Sequence, residues 1–600
     1  MSGPLGKISL ALSGGGTRAA GYHIGVLSYL DRLGVLTDVA VISGASGGAF
    51  ITSTYAMSQA KGQSFSQYAD WMLTRLRTGK MAEWVLAEFS GGRPMGLSGR
   101  RTVIAALAES YDKHFFEGFR FGELLDTQPG HLEEVIINAT DFRSGLGFRF
   151  QRHAPAGNAQ SPVDPALLRH ARLADVMASS SCLPGGMEPF FFPEDFVWEG
   201  SDAVRDAGQL RREFSKLGVE AIPLMDGGLY DNQALEALVE AAARLTPEGE
   251  TPDGADTAME DAERVWKSGT ETQRYAGEFD LLFQRIASGD IPDEPPGLVL
   301  VSDAVRAEDP ILRAGFAPGD ARPLVTLPEA PDTGRRLSTA LKAWWVLVLL
   351  CGGTVGAVIY HIISVGIATH WRAHLTIEGF LLYLVPLLLA ASAFMALIYA
   401  RRAARTMLGA VDMILRTEGA CPGEKRESPS TWSFLRQLPL SQLSWLVKIR
   451  VASMMAVMSD IFFVRHRILG YALLYGFPGW RRQLLSVEIF SLLIKAPADA
   501  PQVTDAMRAV ATIAANQPTA FWYDQPEELE QLVATGQMSA CRNLIVHLRR
   551  RRDGDPERFG KRLTDLLERV ESDWLTFRDR PLDLVPAAAR PAASAQTASA

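Results

Sequence analysis

Along the first half of the chain, short apolar runs alternate with glycine-rich turns and longer segments of helical period. This rhythm predicts an α/β domain. Lys7 to Leu12 (K-I-S-L-A-L) reads as a first strand, and Ser13-Gly14-Gly15-Gly16-Thr17-Arg18 as the loop that opens a helix running through Gly25, Val26 and Leu27 to about Leu33. Val39 to Ile42 is a second β-prone run that ends at a glycine, after which Ala49, Phe50 and Ile51 can continue as a helix. Two further runs, Ala221 to Asp226 and Gly297 to Ser302 (G-L-V-L-V-S), read as buried strands.

The second half has a different pattern. Ala343 to Ala368 and Gly379 to Ala400 carry no formal charge. At 1.5 Å per helical residue they extend roughly 39 and 33 Å, against about 30 Å of bilayer hydrocarbon. Both are expected to span a membrane as a hairpin with Thr369 to Glu378 as its loop. Arg335, Arg336 and Lys342 precede the first span and Arg401, Arg402 and Arg405 follow the second, whereas the loop holds only Arg372. The positive-inside rule then places the N- and C-terminal regions in the cytoplasm. Trp445 to Lys495 is apolar but interrupted by charges, which predicts amphipathic helices covering the α/β domain or resting on the membrane surface. The run Arg549 to Arg552 reads as solvated.

Composition narrows the picture. The chain has 600 residues, with 60 Lys+Arg against 68 Asp+Glu, and gives no reason to expect a nucleic-acid partner. Its four cysteines (Cys182, Cys351, Cys421, Cys541) are widely spaced. They suggest neither a metal site nor a disulfide framework and fit a reducing compartment. Met1 to Lys7 lead straight into a strand, so a cleaved signal peptide is not expected. Glu248 to Glu294 holds 13 acidic against 4 basic residues. This reads as a surface insertion.

The chemistry centres on Gly44-Ala45-Ser46-Gly47-Gly48, a strand, sharp turn and helix that makes Ser46 the candidate nucleophile. Three consecutive glycines, Gly14, Gly15 and Gly16, stand at the predicted N-terminus of the first helix, where successive N–H groups and the helix dipole favour an anion. That anion can be a phosphate or the oxyanion of an acyl transfer. Gly14-x-Gly16-x-x-Ala19 loosely matches a dinucleotide fingerprint but lacks the acidic residue that fingerprint requires at the end of the second strand. Beyond Asp226 the next histidines are His361, His370, His374, His466 and His547, none well placed as a base. A carboxylate acting directly on Ser46 is therefore expected, and Asp226, which ends a short strand before Gly227-Gly228, is the candidate. Arg18 either pairs with a carboxylate or serves the oxyanion loop or a lipid headgroup, and His23 packs within its helix. Asp141 and Asp175 read as structural acids.

Together these residues resemble the patatin-like phospholipases, whose pattern is a glycine-rich oxyanion loop followed by Arg, a GxSxG elbow, and a DGG or DGA carrying the aspartate of a Ser-Asp dyad. Asn138-Ala139-Thr140-Asp141 with Ser144-Gly145, Ala178-Ser179-Ser180-Ser181-Cys182-Leu183-Pro184, and Asn232 after the DGG are similar to further family segments. Ala19-Ala20 replace the family's usual glycine after Arg18. The resemblance covers roughly Lys7 to Ser302. It implies a three-layer α/β/α domain that hydrolyses carboxylic esters of membrane phospholipids or related lipids without metal or organic cofactor. The expected organisation is a patatin-like catalytic domain over 1–330 with an acidic insertion at about 247–296, transmembrane helices at 343–368 and 379–400, an α-helical C-terminal region over 401–585, and a disordered tail over 586–600. A catalytically silent, membrane-anchored lipid-binding or scaffolding protein is the alternative.

Overall fold

The computed structural model describes residues 3–244 except 79, 92–95 and 185, residues 295 and 297–304, scattered positions between 342 and 399, residues 471, 474, 475 and 478–494, residues 499–517, and residues 526–590 except 558. The chain divides into one unit of residues 1–321 with 459–600 and a second of residues 322–458.

In the first unit the described residues form one ten-stranded sheet: β1 Ile8–Leu12, β2 Val39–Ala45, β3 Glu134–Asp141, β4 Leu146–Gln151, β5 Ala156–Asn158, β6 Ser161–Val163, β7 Phe190–Phe192, β8 Ile222–Asp226, β9 Leu298–Asp303 and β10 Leu484–Glu488. The order is β10-β9-β1-β2-β3-β4-β5-β6, with β8 pairing to both β3 and β7. From β10 to β3 the pairing is parallel, and beyond β3 it is antiparallel. The strands are apolar on both faces because both faces are covered. Leu10, Leu12, Val135, Ile137, Leu298 and Leu300 join one core with residues of α1 (Gly16–Leu33) and α2 (Gly47–Ala60), whereas Ala11, Val41, Ile136, Val299 and Val301 face α5 (Leu235–Arg244) and Trp480 in a second. The period-two alternation thus builds the α/β/α layers that the sequence implies. Two more helices, α3 (Val103–Tyr111) and α4 (Leu173–Ser180), pack against each other.

The C-terminal region departs from the expected all-helical reading. Leu484–Glu488 is a strand that pairs in parallel with β9 and extends the sheet at that edge. After it come α6 (Asp505–Asn516), α7 (Pro526–Gly554) and α8 (Lys561–Asp579). Helix α7 crosses α1 closely: a Cβ on Gly25 would overlap the Val533 carbonyl, and one on Gly536 would overlap the Tyr22 carbonyl. Glycine at both positions lets the two backbones meet. Within the arginine run, Arg549 pairs with Glu571 at 2.7 Å and Arg550 with Asp499 at 2.8 Å. The described residues continue into the expected tail as far as Arg590, whose carbonyl accepts from Arg77 Nη1 at 2.8 Å. Apart from Pro295, the acidic insertion, like residues 591–600, lies outside the described residues.

The two segments expected to span a membrane also lie largely outside the described residues. Those positions that are described between 342 and 399 are helical, and most of their large apolar side chains are exposed, including Leu349 at 71% and Tyr360 at 74%. Among the described residues, no helix is long and apolar enough to cross a membrane.

Candidate active site

The site arises from two strands that run toward each other along one edge of β3. Strand β2 ends with Ala45 opposite Asn138, and the antiparallel β8 ends with Asp226 opposite Ala139. The residues at the two strand ends therefore meet over consecutive positions of β3. Ser46 Oγ donates to Asp226 Oδ2 at 2.8 Å although 180 residues separate them in the chain.

Ser46 occupies the turn between β2 and α2 with φ 50° and ψ −119°. A non-glycine residue there carries backbone strain, of order 1–3 kcal/mol. The flanking glycines are required by close approach: a Cβ on Gly44 would overlap the Gly48 carbonyl and Thr52 Oγ1, one on Gly47 the Gly16 carbonyl, and one on Gly48 the Leu12 carbonyl. The elbow therefore sits directly against the glycine loop. Phe50 N–H donates to the Ser46 carbonyl at 3.0 Å, starting α2 at the turn.

Asp226 is 4% exposed, and its Oδ1 accepts from Gly228 N–H at 2.8 Å. Burial pushes its pKa up from the ordinary 3.8 to about 6, against the lowering effect of its hydrogen bonds from Ser46 and Gly228. The Asp226 carbonyl accepts from Thr140 Oγ1 at 2.8 Å, and its N–H donates to the Cys182 carbonyl at 2.9 Å. The carboxylate is thus fixed from several sides while it faces Ser46.

The glycine loop refines the expected oxyanion donors. Gly14 N–H donates to the Asn232 carbonyl at 2.8 Å and is committed to holding the loop. Gly15, at φ 145°, and Gly16, at φ 59°, are partly exposed, and among the described residues their N–H groups donate to no protein acceptor. Gly15 and Gly16 are therefore the two loop amides that, among the described residues, no protein acceptor claims.

Arg18 does not bind a carboxylate through its described contacts. It is 5% exposed, and its Nε and Nη1 donate to the carbonyls of Ala304 and Gln517, each at 3.0 Å. It ties the start of α1 to the end of β9 and to the segment after α6. His23 is fully buried, with Nδ1 2.7 Å from Ser302 Oγ and Nε2 2.8 Å from the Ser13 carbonyl. Burial holds its pKa down to about 4, so it stays neutral and braces the residue before the glycine loop. Asp141 accepts from Arg143 N–H at 2.9 Å in the β3–β4 turn, and Asp175 pairs with Arg172 at 2.8 Å. Among the described residues, no cluster of His, Cys, Asp or Glu could hold a metal ion.

Two contributors carry weak sequence signals. Asn232 was visible only as the residue after the DGG turn, and its role rests on its main-chain carbonyl. Ser180, at the end of α4, accepts from Ser46 N–H at 2.9 Å and donates to the Asn138 carbonyl at 2.6 Å.

Residues 10–239 match the patatin-like phospholipase family model. That stretch includes the glycine loop, the Ser46 elbow and Asp226, and such a domain is that of a lipid acyl hydrolase. No curated protein matches the chain.

Proposed function

We propose that this patatin-like phospholipase domain cleaves carboxylic ester bonds of membrane phospholipids or related lipids through Ser46 and Asp226. The observation that carries the reading is the 2.8 Å hydrogen bond from Ser46 Oγ to a buried carboxylate, beside two glycine amides that donate to no protein acceptor among the described residues. In the proposed reaction Asp226 Oδ2 takes the Ser46 proton as Oγ attacks the acyl carbonyl. Gly15 and Gly16 N–H groups receive the oxyanion. Collapse of the tetrahedral intermediate expels the alcohol, which takes the proton from Asp226, and leaves an acyl-Ser46 ester. Water then attacks this ester with Asp226 again accepting a proton, and collapse of the second tetrahedral intermediate releases the fatty acid as Asp226 passes that proton to Ser46 Oγ.

The same reading places the enzyme at the cytoplasmic face of a membrane, held by segments 343–368 and 379–400. Their lack of formal charge and the six basic flanking residues against one in the loop support this.

Ser46→Ala and Asp226→Asn are each expected to remove most hydrolysis of a phospholipid ester, with the double variant little worse than either single one. Near-normal turnover by Ser46→Ala would end the dyad reading. For the anchor, an impermeant thiol reagent applied to intact cells should label His370→Cys and spare Ser430→Cys. Labelling at position 430, or loss of the protein from carbonate-washed membranes, would overturn it.

A further inference from the structure

Ser46 holds a strained conformation, and its turn needs more than flanking glycines to keep it there. Its carbonyl is fixed by Phe50 N–H, and its hydroxyl by Asp226. Its own N–H points into the protein and meets Ser180 Oγ at 2.9 Å. Ser180 is fully buried, and its hydroxyl proton goes to the Asn138 carbonyl at 2.6 Å. Asn138 is the β3 residue opposite the end of β2, and its Nδ2 donates to Ser43 Oγ and to the Gly44 carbonyl, both at 2.9 Å. The hydroxyl thus closes a circuit from the elbow amide to the strand that carries both strand ends.

The segment around Ser180 also reaches the base. The Ser180 carbonyl accepts from Gly227 N–H at 3.3 Å, and the Cys182 carbonyl accepts from Asp226 N–H at 2.9 Å. Nucleophile and carboxylate are therefore gauged against the same short stretch of chain. A one-residue shift at the end of α4 would move both.

Resting on the dyad reading above, we infer that Ser180 is a positioning residue for the reaction: its hydroxyl holds the Ser46 amide, which keeps the strained turn aimed at Asp226 and withdraws that amide from the oxyanion site. The second half of the inference separates it from a rival arrangement. If the Ser46 amide were instead an oxyanion donor, releasing it from Ser180 would not slow acylation.

The test uses the full-length wild type with Ser180→Ala, Ser180→Thr and Ser180→Cys, and Ser46→Ala as control, on a chromogenic short-chain ester. Ser180→Ala should lose about 10- to 100-fold in kcat with KM changed less than about twofold, because the substrate does not touch the hydroxyl. Ser180→Thr keeps the hydroxyl and should recover most of the loss, with Ser180→Cys between the two because a thiol is the weaker hydrogen-bonding group. The acidic limb of the pH profile should move upward, since a Ser46 turn no longer aimed at Asp226 withdraws a hydrogen bond that lowers the carboxyl's pKa. If Ser180→Ala does not fold, the order of Ser180→Thr over Ser180→Cys decides. Unchanged or faster turnover in Ser180→Ala, or Ser180→Cys equal to or better than Ser180→Thr, overturns the inference. Activity in Ser46→Ala would instead overturn the dyad reading on which it rests.

Discussion

Asp226→Asn should make the protein more stable at the same time as it makes it inactive. The folded carboxyl has a pKa of about 6, against an ordinary 3.8, because burial penalises its charge. An acid whose folded value is raised binds its proton more readily folded than unfolded, so stability falls as pH rises through the window from 3.8 to about 6. Carrying the ionised group at pH 8 then costs the fold about 3 kcal/mol. The asparagine amide can keep the Gly228 hydrogen bond with its oxygen and turn its NH2 toward Ser46 Oγ. Allowing for imperfect replacement of those hydrogen bonds leaves a net gain of about 1 to 2 kcal/mol. Melting at pH 8 should rise by a few degrees, and the gain should vanish near pH 4, where aspartate is already protonated. Activity should fall about 10²- to 10⁴-fold through loss of the base. Urea or thermal unfolding at both pH values, beside ester hydrolysis, measures all of this. A variant that is less stable at pH 8, or whose gain does not depend on pH, would refute the assignment of a raised pKa to Asp226.

Wild-type kcat/KM should fall about tenfold per pH unit below about 6 as Asp226 becomes protonated, which a pH–rate profile measures. Gly15→Pro removes the loop amide and, because proline cannot hold φ 145°, also distorts the turn, so it should raise the barrier by about 3 kcal/mol with part of the loss due to distortion, seen as a loss in kcat/KM. Gly47→Ala drives a methyl into the Gly16 carbonyl, so it should lower kcat as well as melting temperature. Val487→Asp buries a charge in β10, beside the central parallel strands, and should abolish soluble, two-state unfolding of the first unit.

The parts of this fold that sequence reveals are those whose cause is local. β1, β2, β8 and β9 combine apolar runs with glycine-bearing turns, and the elbow and DGG turn carry their own backbone requirements. β10 has no such mark, because Leu484–Glu488 follows Arg481 and Arg482 and becomes a strand through the open edge of β9, far away in the chain. Arg18 illustrates the same limit: two of its acceptors are main-chain carbonyls 286 and 499 residues away, and a carbonyl belongs to every residue type. Gly14 could be read as one of three equivalent loop donors, yet the Asn232 carbonyl claims its amide. Ser180 sat in a run of three serines, and only the approach of α4 to the elbow distinguishes one from its neighbours.

The central claim is that Ser46 is an activated nucleophile, and covalent capture addresses it most directly. The full-length protein should be treated with a fluorophosphonate at pH 8, digested, and mapped by mass spectrometry. A single adduct on the peptide containing Ser46, lost in Ser46→Ala and strongly slowed in Asp226→Asn, is the predicted result. An unmodified Ser46 in folded protein, or an adduct carried by another residue with Ser46 untouched, would contradict the account.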